Sequence, residues 1–179
     1  MFNAWPRYLL LSLILPVATH ARAGDPPLQT SLTPVLPRLV APVIELPNQD
    51  GHIISIIKLK GKVVIVNFWA TWCPPCRREF ASMERLRKTM ADRPLEILAV
   101  NEGENDNVIE EFTATLDTPP LFHILLDLNG DSMTRWPVRG LPTTFVLDKR
   151  GRIAFRAIGG REFDHPQMLR QIERLLREK

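Results

Sequence analysis

Only two cysteines occur among the 179 residues of the chain. A disulfide-dense scaffold needs several cysteine pairs and a four-thiolate zinc site needs four cysteines, so both are excluded. The length matches one domain with a possible tail, and a domain of this size holds its core without such cross-links. Apolar residues make up 45% and charged residues 24% of the chain, which excludes wholesale disorder and a multi-span membrane protein.

The apolar run near the N-terminus is too short to cross a membrane. Residues 9–17 form a run of nine, whereas a spanning helix needs about 20 residues. The run follows Arg7 and precedes a small-x-small cleavage pattern at residues 21–23. Residues 1–23 are therefore predicted to be a signal peptide of an exported protein. The alternatives are a retained membrane anchor and a buried N-terminal element.

The chain has little excess charge once this segment is removed. Residues 1–23 contain two arginines and no acids, which leaves 21 basic and 20 acidic residues, a net charge of +1. The sequence also lacks a basic stripe interleaved with aromatic residues. This balance gives no support for nucleic-acid binding, and no nucleic-acid partner is expected.

Proline is concentrated at the start of the mature chain, with six residues between positions 26 and 47. Proline has no N–H group and favours extended backbone. Residues 24–40 are therefore predicted to be a proline-rich linker, and residues 41–179 to form the folded domain.

Strand and helix patterns alternate along that domain. A turn signal at residues 48–51 separates the apolar runs 43–46 and 53–57, which predicts a β-hairpin. Asp164 and Gln167 resemble a capping box before the last helix. The alternation, closed by a second hairpin, predicts an α/β fold with a central mixed sheet flanked by helices. Periodicity predicts strands at 63–69, 95–101, 124–127, 143–147 and 153–158, and helices at 74–90, 108–116 and 166–178.

Both cysteines lie at the start of the predicted helix 74–90, in the sequence Cys73-Pro74-Pro75-Cys76. A helix N-terminus presents free N–H groups and the positive end of the helix dipole, which stabilise a thiolate. Cys73 is the predicted nucleophile. Cys76, one turn further, is placed to attack a mixed disulfide formed at Cys73 and release the substrate.

Other uses of a cysteine pair are less consistent with the sequence. A structural disulfide closing so short a loop contributes only about 2 kcal/mol. A zinc or copper site would need further ligands, and the histidines are scattered at His52, His123 and His165. Covalent haem attachment needs a histidine directly after the second cysteine, where Arg77 stands. Redox chemistry is favoured, and no cofactor or metal is predicted.

The stretch 67–80, NFWATWCPPCRREF, resembles the active-site segment of the thioredoxin-fold proteins called TlpA-like or ResA-like. The resemblance runs from about residue 41 to the C-terminus and includes GKVV at 61–64, AVN at 99–101 and GLPTTF at 140–145. It implies a thioredoxin-like fold with an N-terminal β-hairpin. It also implies a helix and a strand inserted between Cys76 and Pro142.

The resemblance further implies that Leu141–Pro142 is a cis peptide bond lying against the cysteine pair. X–Pro bonds are cis only about 5–6% of the time in folded proteins, so the sequence alone would favour trans. A cis bond would turn the Leu141 backbone outward to pair with an extended substrate strand. Trp72 would form an apolar wall of the same groove, with core packing as its alternative. Trp72, Leu141, Pro142 and Thr143 are thus the implied substrate-binding residues.

Two polar residues depart from plain thioredoxin. Asn67 stands where thioredoxins usually keep a buried carboxylate, and Glu79 matches the active-site glutamate of ResA-like proteins. A carboxylate near a thiol raises the pKa of that thiol and can accept its proton. Glu79 is expected to act on Cys76 as an acid/base group, with an ordinary solvated helix acid as the alternative. Glu102 and Glu104, in the loop after Asn101, are interpreted either as an acidic patch or as simply solvated side chains.

The residues between the cysteines bear on the direction of electron flow. Pro74 and Pro75 supply no N–H to the Cys73 thiolate, and no histidine adds positive charge, unlike in DsbA-type oxidases. A less stabilised thiolate makes the disulfide less oxidising, which favours a reductase. The alternative is a general thiol oxidase or isomerase.

The resemblance implies partners as well. A membrane donor of the DsbD or CcdA type would resupply electrons, and the substrates would be disulfides of exported proteins, first of all apocytochrome c before haem attachment. Cysteine pairs of copper sites are the second substrate class. A non-catalytic copper-binding module is a further alternative, although Sco-type carriers use C-x-x-x-C rather than C-x-x-C.

Overall fold

The computed structural model describes Met1 and residues 26–179. The predicted signal peptide, apart from Met1, lies outside the described residues. Within the part that is described, no helix combines the length and the apolar character needed to cross a membrane.

The main sheet is built around the strand Val63–Trp69, in which every residue is buried. Successive side chains of a strand point to opposite faces of the sheet. Val63 and Ile65 belong to the apolar cluster on one face, and Val64 and Val66 belong to the cluster on the other. The run of β-branched residues therefore forms a strand covered on both sides, as its composition predicts.

The strands of the main sheet are β1 Thr33–Pro34, β4 Val63–Trp69, β5 Leu95–Glu102, β6 His123–Asp127, β7 Thr143–Leu147 and β8 Ile153–Ile158. Among the described residues their order is β1-β8-β7-β4-β5-β6. Strand β4 pairs in parallel with β5, and β5 with β6, whereas β7 is antiparallel to both β4 and β8. A separate antiparallel hairpin consists of β2 Glu45–Pro47 and β3 Ile53–Ser55. The predicted mixed sheet and hairpin are confirmed.

Helices cover this sheet. The helices are α1 Pro74–Thr89, α2 Asp106–Thr113, α3 Asp131–Arg135 and α4 Pro166–Arg177. Helices α1, α2 and α4 bury side chains in the same apolar cluster on one face. On the other face Trp136, directly after α3, packs against Phe68 and Phe145, with ring centroids 5.7 and 5.2 Å apart. The sequence pattern does not predict α3, because five residues are too few to show a helical period.

The predicted linker differs from the structure. Leu32 is 4% exposed and lies in the core, and its backbone exchanges two hydrogen bonds of 2.9 Å with the side chain of Gln171. Strand β1 pairs with β8 at the edge of the sheet. Proline is tolerated on an edge strand at positions whose N–H would point away from the neighbouring strand. The next residue, Val35, donates its N–H to the Ala154 carbonyl on β8. Residues 26–40 thus form a strap along β8 rather than a free linker.

The cap of α4 also differs from the prediction. His165 is the N-cap residue, and its Nδ1 accepts a hydrogen bond from the Gln167 N–H at 3.2 Å. The carboxylate of Asp164 binds Arg85 on α1 instead. The predicted capping box of Asp164 and Gln167 is therefore wrong, because the acid has a cationic partner within reach.

The strap can be tested by two leucine substitutions. Leu32→Ala should lower the free energy of unfolding by about 2–4 kcal/mol, because it empties a site in the core. Leu39→Ala removes a side chain that is 63% exposed and should change stability by about 0.5 kcal/mol or less. Urea denaturation measures both. Equal, small effects would mean that this segment behaves as an unpacked linker.

Candidate active site

The cysteine pair lies where β4 passes into α1. Cys73 is the N-cap residue of α1, and Cys76 lies in its first turn. The two sulfur atoms are bonded to each other, and both side chains are buried. Pro74 and Pro75 occupy the first helical positions, where an N–H would have no helical partner. The structure thus places Cys73 and Cys76 at a helix N-terminus, as the spacing predicts.

The implied substrate-binding residues lie around this pair. Trp72 is 68% exposed, so it is not a core residue. Leu141–Pro142 is a cis peptide bond. Thr143 pairs with Phe68 near the C-terminal end of β4, so the cis bond lies at the same end of the sheet as Cys73. Leu141 also packs against the apolar cluster that contains both cysteines.

Glu79 is completely buried one helical turn after Cys76. Its Oε1 accepts a hydrogen bond from the Asn67 side chain at 2.6 Å, and its Oε2 accepts one from the Arg161 backbone N–H at 3.0 Å. Burial raises the pKa of Glu79 to about 8, although both hydrogen bonds and the charge of Arg161 act in the opposite direction. The alternative interpretation of Glu79 as a solvated helix acid is wrong.

Asn67 links this carboxyl to the sheet. Its Nδ2 donates to Glu79 and to Thr144 Oγ1 at 3.0 Å, and Thr144 is its register partner on β7. Its Oδ1 is buried and has no hydrogen-bond partner among the described residues. Asn67 itself has no carboxyl. The buried carboxyl at this point of the structure belongs to Glu79, which reaches from α1 to within hydrogen-bond distance of Asn67.

Sequence reasoning missed Arg161, because an arginine after two glycines matches no motif. The residue is 4% exposed. Its guanidinium donates to the carbonyls of Ser31, Ile158, Gly159 and Gly160, at 2.9–3.2 Å. Desolvation lowers the pKa of Arg161, and the carboxyl of Glu79 opposes this shift. Arg161 thereby holds together the strap, the loop after β8 and the Glu79 site.

Glu104 is also more than a solvated acid. Its Oε2 accepts from the Thr71 N–H at 2.7 Å and from Asn101 Nδ2 at 2.7 Å, and its Oε1 accepts from the Thr71 hydroxyl at 2.5 Å. Thr71 directly precedes Trp72 and Cys73. Glu104 therefore anchors the loop that leads into the cysteine pair. Glu102 is partly buried, and burial together with nearby Asp127 raises its pKa.

The histidines considered as metal ligands remain apart. His165 caps α4, His123 begins β6, and His52 lies in the turn of the small hairpin. Among residues that the structure describes, no group of three or more His, Cys, Asp or Glu side chains is arranged to hold a metal ion.

Known proteins resemble this chain in sequence and in fold. A model of the AhpC/TSA family matches residues 37–156. The chain belongs to the AhpC/TSA family. Thioredoxin-like protein YneN of Bacillus subtilis is 41% identical over 114 residues, which cover 63% of this chain and 66% of YneN. Thiol-disulfide oxidoreductase ResA of the same organism is 35% identical over 113 residues, or 63% of this chain and 62% of ResA. The matched region thus spans slightly less than two thirds of these relatives.

A solved structure extends the likeness to the fold. A thiol:disulfide interchange protein of the thioredoxin family from Chlorobium tepidum superposes with a TM-score of 0.66 at 27% identity, covering 83% of this chain and 99% of that one. The predicted thioredoxin-like α/β fold is confirmed. In this AhpC/TSA member, the cysteine pair and the cis bond lie near the C-terminal end of β4, and Glu79 lies one helical turn along α1 from Cys76.

The buried carboxyl makes stability depend on pH in a defined direction. A folded-state pKa of about 8 lies above the ordinary value of 4.5, so the native state binds the extra proton between these values. The contribution of Glu79 to the free energy of unfolding should be complete below pH 4.5 and should fall by roughly 3–5 kcal/mol as the pH rises to 8.

Glu79→Gln should remove this slope, because glutamine stays neutral. The side-chain amide of the new glutamine can donate to Asn67 Oδ1 once the Asn67 side-chain amide flips, so the variant should fold. Glu110→Gln, on an exposed position of α2, is the matched control. Denaturant unfolding of the oxidised protein at several pH values measures the effect, and a slope shared by all three proteins would contradict the assignment.

The anchor of the active-site loop can be tested separately. Glu104→Ala leaves the Thr71 and Asn101 donors without their partner and should cost about 1–3 kcal/mol of stability. Hydrogen exchange at the Thr71 amide should accelerate in the same variant. Glu110→Ala should leave both quantities unchanged, and an unaffected Thr71 amide in Glu104→Ala would remove the anchoring role.

Proposed function

We propose that this protein is an exported thiol:disulfide reductase that acts through Cys73 and Cys76. The observation that carries the proposal is the cysteine pair at the N-terminus of α1, with the buried carboxyl of Glu79 one turn below it. Relatives named as thiol-disulfide oxidoreductases support the same chemistry.

The reaction proceeds in two exchange steps. The Cys73 thiolate attacks one sulfur of a substrate disulfide, which forms a mixed disulfide and releases the other substrate sulfur as a thiolate. The Cys76 thiolate then attacks Cys73 Sγ, releases the second substrate sulfur and closes the Cys73–Cys76 disulfide. Two electrons pass to the substrate, and an external dithiol must return two electrons before the next cycle.

Glu79 serves as the acid/base group for Cys76. The two residues lie three positions apart on α1, so their side chains share one helix face. A pKa of about 8 is close to the value of about 8.5 for a free thiol. Proton transfer between the two groups then costs little free energy, and Glu79, in its ionised form, can take the proton of Cys76 as that residue becomes a nucleophile.

The substrate lies in the groove between Trp72 and the cis bond. Trp72 offers an exposed apolar surface beside Cys73. The backbone of Leu141, before Pro142, pairs with an extended substrate strand as in β-augmentation. Thr143 supports that turn, because its hydroxyl donates to the Gly140 carbonyl at 2.7 Å.

We infer the setting of the reaction from the N-terminal sequence and from the resemblance to TlpA-like and ResA-like proteins. The predicted signal peptide supports export to the periplasm or an equivalent compartment, with a membrane tether as the alternative. A membrane donor of the DsbD or CcdA type supplies the electrons. Apocytochrome c disulfides are the proposed substrates, which places the protein in cytochrome c maturation; copper-site cysteines are the second candidate, and general oxidation or isomerisation is the third.

The redox potential tests the direction of electron flow. Helix α1 lacks two N–H donors at Pro74 and Pro75, so the potential should lie nearer to about −270 mV, as in thioredoxin, than to about −120 mV, as in DsbA. Pro75→His adds a donor and positive charge, and should raise the potential by roughly 30 mV or more. A titration against glutathione measures both. A parent value near that of DsbA would support the oxidase alternative.

Trapping identifies the substrates. Cys76→Ser removes the resolving thiol and should accumulate mixed disulfides at Cys73 in the native cell. The double variant with Cys73→Ser should accumulate none. Trapped proteins that contain haem-binding C-x-x-C-H motifs would support cytochrome c maturation, whereas trapped copper-site proteins would support the second candidate.

A further inference from the structure

A basic cavity adjoins the cis bond. It has a volume of about 410 Å³ and is lined by Pro137, Arg139, Gly140, Thr143, Arg156 and Ile158. Gly140 and Thr143 directly flank Leu141–Pro142, so the cavity borders the proposed substrate groove. The Gly159 N–H, one residue after Ile158, donates to the Pro142 carbonyl at 2.8 Å. This hydrogen bond connects the Ile158 side of the cavity to the cis bond.

Arg156 and Ile158 also line a second cavity, of about 500 Å³, on the side of the strap. They alternate with buried residues on β8, and both are exposed. The two side chains therefore stand as a ridge between neighbouring hollows. Ile158 is 53% exposed and Leu36, on the strap side, is 83% exposed, so apolar surface lies next to the arginine. We call these two residues, Arg156 and Ile158, together with Arg139 from the lining of the first cavity, the basic ridge.

The charge of this ridge is not neutralised within the described part of the chain. Neither Arg139 nor Arg156 forms an ion pair or a side-chain hydrogen bond there, and none of the residues that line the two cavities is acidic. Other arginines do have carboxylate partners: Arg38, Arg85, Arg87 and Arg152. A guanidinium presents a planar set of donors that fits a carboxylate.

We propose that the basic ridge binds an acidic segment that flanks the disulfide of the substrate protein. The proposal rests on the proposed reductase function and adds the chemistry of its substrate. A strand paired with the Leu141 backbone would carry its neighbouring residues past Arg139 and Arg156. A glutamate or aspartate close in sequence to the reacting cysteine then pairs with Arg139 and Arg156. An apolar residue next to it contacts Ile158.

Three disulfide-linked peptides test this specificity. They are identical except for two residues beside the cysteine, which are glutamates, glutamines or lysines. The reduced protein should react with the glutamate peptide about tenfold faster than with the lysine peptide at low ionic strength, measured as the second-order rate constant. Added salt should reduce this ratio, because the ridge is exposed.

Charge reversal provides the stronger test. In the double variant Arg139→Glu with Arg156→Glu, the order of the peptides should reverse, and a gain for the lysine peptide cannot come from misfolding. Arg150→Glu makes one such charge reversal at an exposed position in the turn at the other end of the β7–β8 hairpin. This control should keep the order of the parent protein.

A binding measurement separates the two proposals. A glutamate peptide with serine in place of cysteine should bind the oxidised protein and lose affinity about tenfold in the double variant. Equal rates and equal affinities for all peptides would contradict the acidic segment while leaving the reductase function in place. Binding without reduction of any peptide would contradict the reductase function and support the ridge.

Discussion

The burial of one carboxyl ties together the parts of the chain that surround the cysteines. Glu79 comes from α1, its Asn67 donor from β4, and its second donor, the Arg161 N–H, from the loop after β8. Desolvation favours the neutral form, while both donors and the Arg161 charge favour the anion, and desolvation prevails. A neutral acid that ionises in the range of a thiol is then available one turn below Cys76.

The loop at residues 159–161 extends this network to the rest of the site. Gly159 binds the Pro142 carbonyl, and Arg161 binds Glu79 and the strap. At Gly160 an added Cβ would lie 2.5 Å from the end of the Leu28 side chain and 3.3 Å from Pro75, so a larger residue would displace Leu28 of the strap and press against Pro75. The strap, the cis bond and the Cys73–Cys76 segment therefore all contact residues 159–161. A substitution in any one of them should alter the packing of the other two.

Local patterns predicted most of the fold, and the long-range contacts were beyond them. The strand at Val63–Trp69 and both strands of the last hairpin have the predicted bounds, because β-branched runs and turn residues act locally. Cys73 and Cys76 could be proposed as a redox pair from the sequence because their C-x-x-C spacing is visible there. The burial of Glu79, the use of Arg161 and Glu104 and the packing of Leu32 each involve a partner at least 33 positions away, and hydrophobic periodicity does not predict such contacts.

The proposed acid/base role requires that Glu79 holds a proton near neutral pH, one helical turn from Cys76. The ¹³C chemical shift of its side-chain carboxyl, followed by NMR across pH in oxidised protein, measures that proton directly, and Glu79→Gln assigns the signal. We expect a midpoint near 8. A midpoint near 4.5 would mean that the carboxyl is an anion throughout the physiological range, and would contradict the acid/base role.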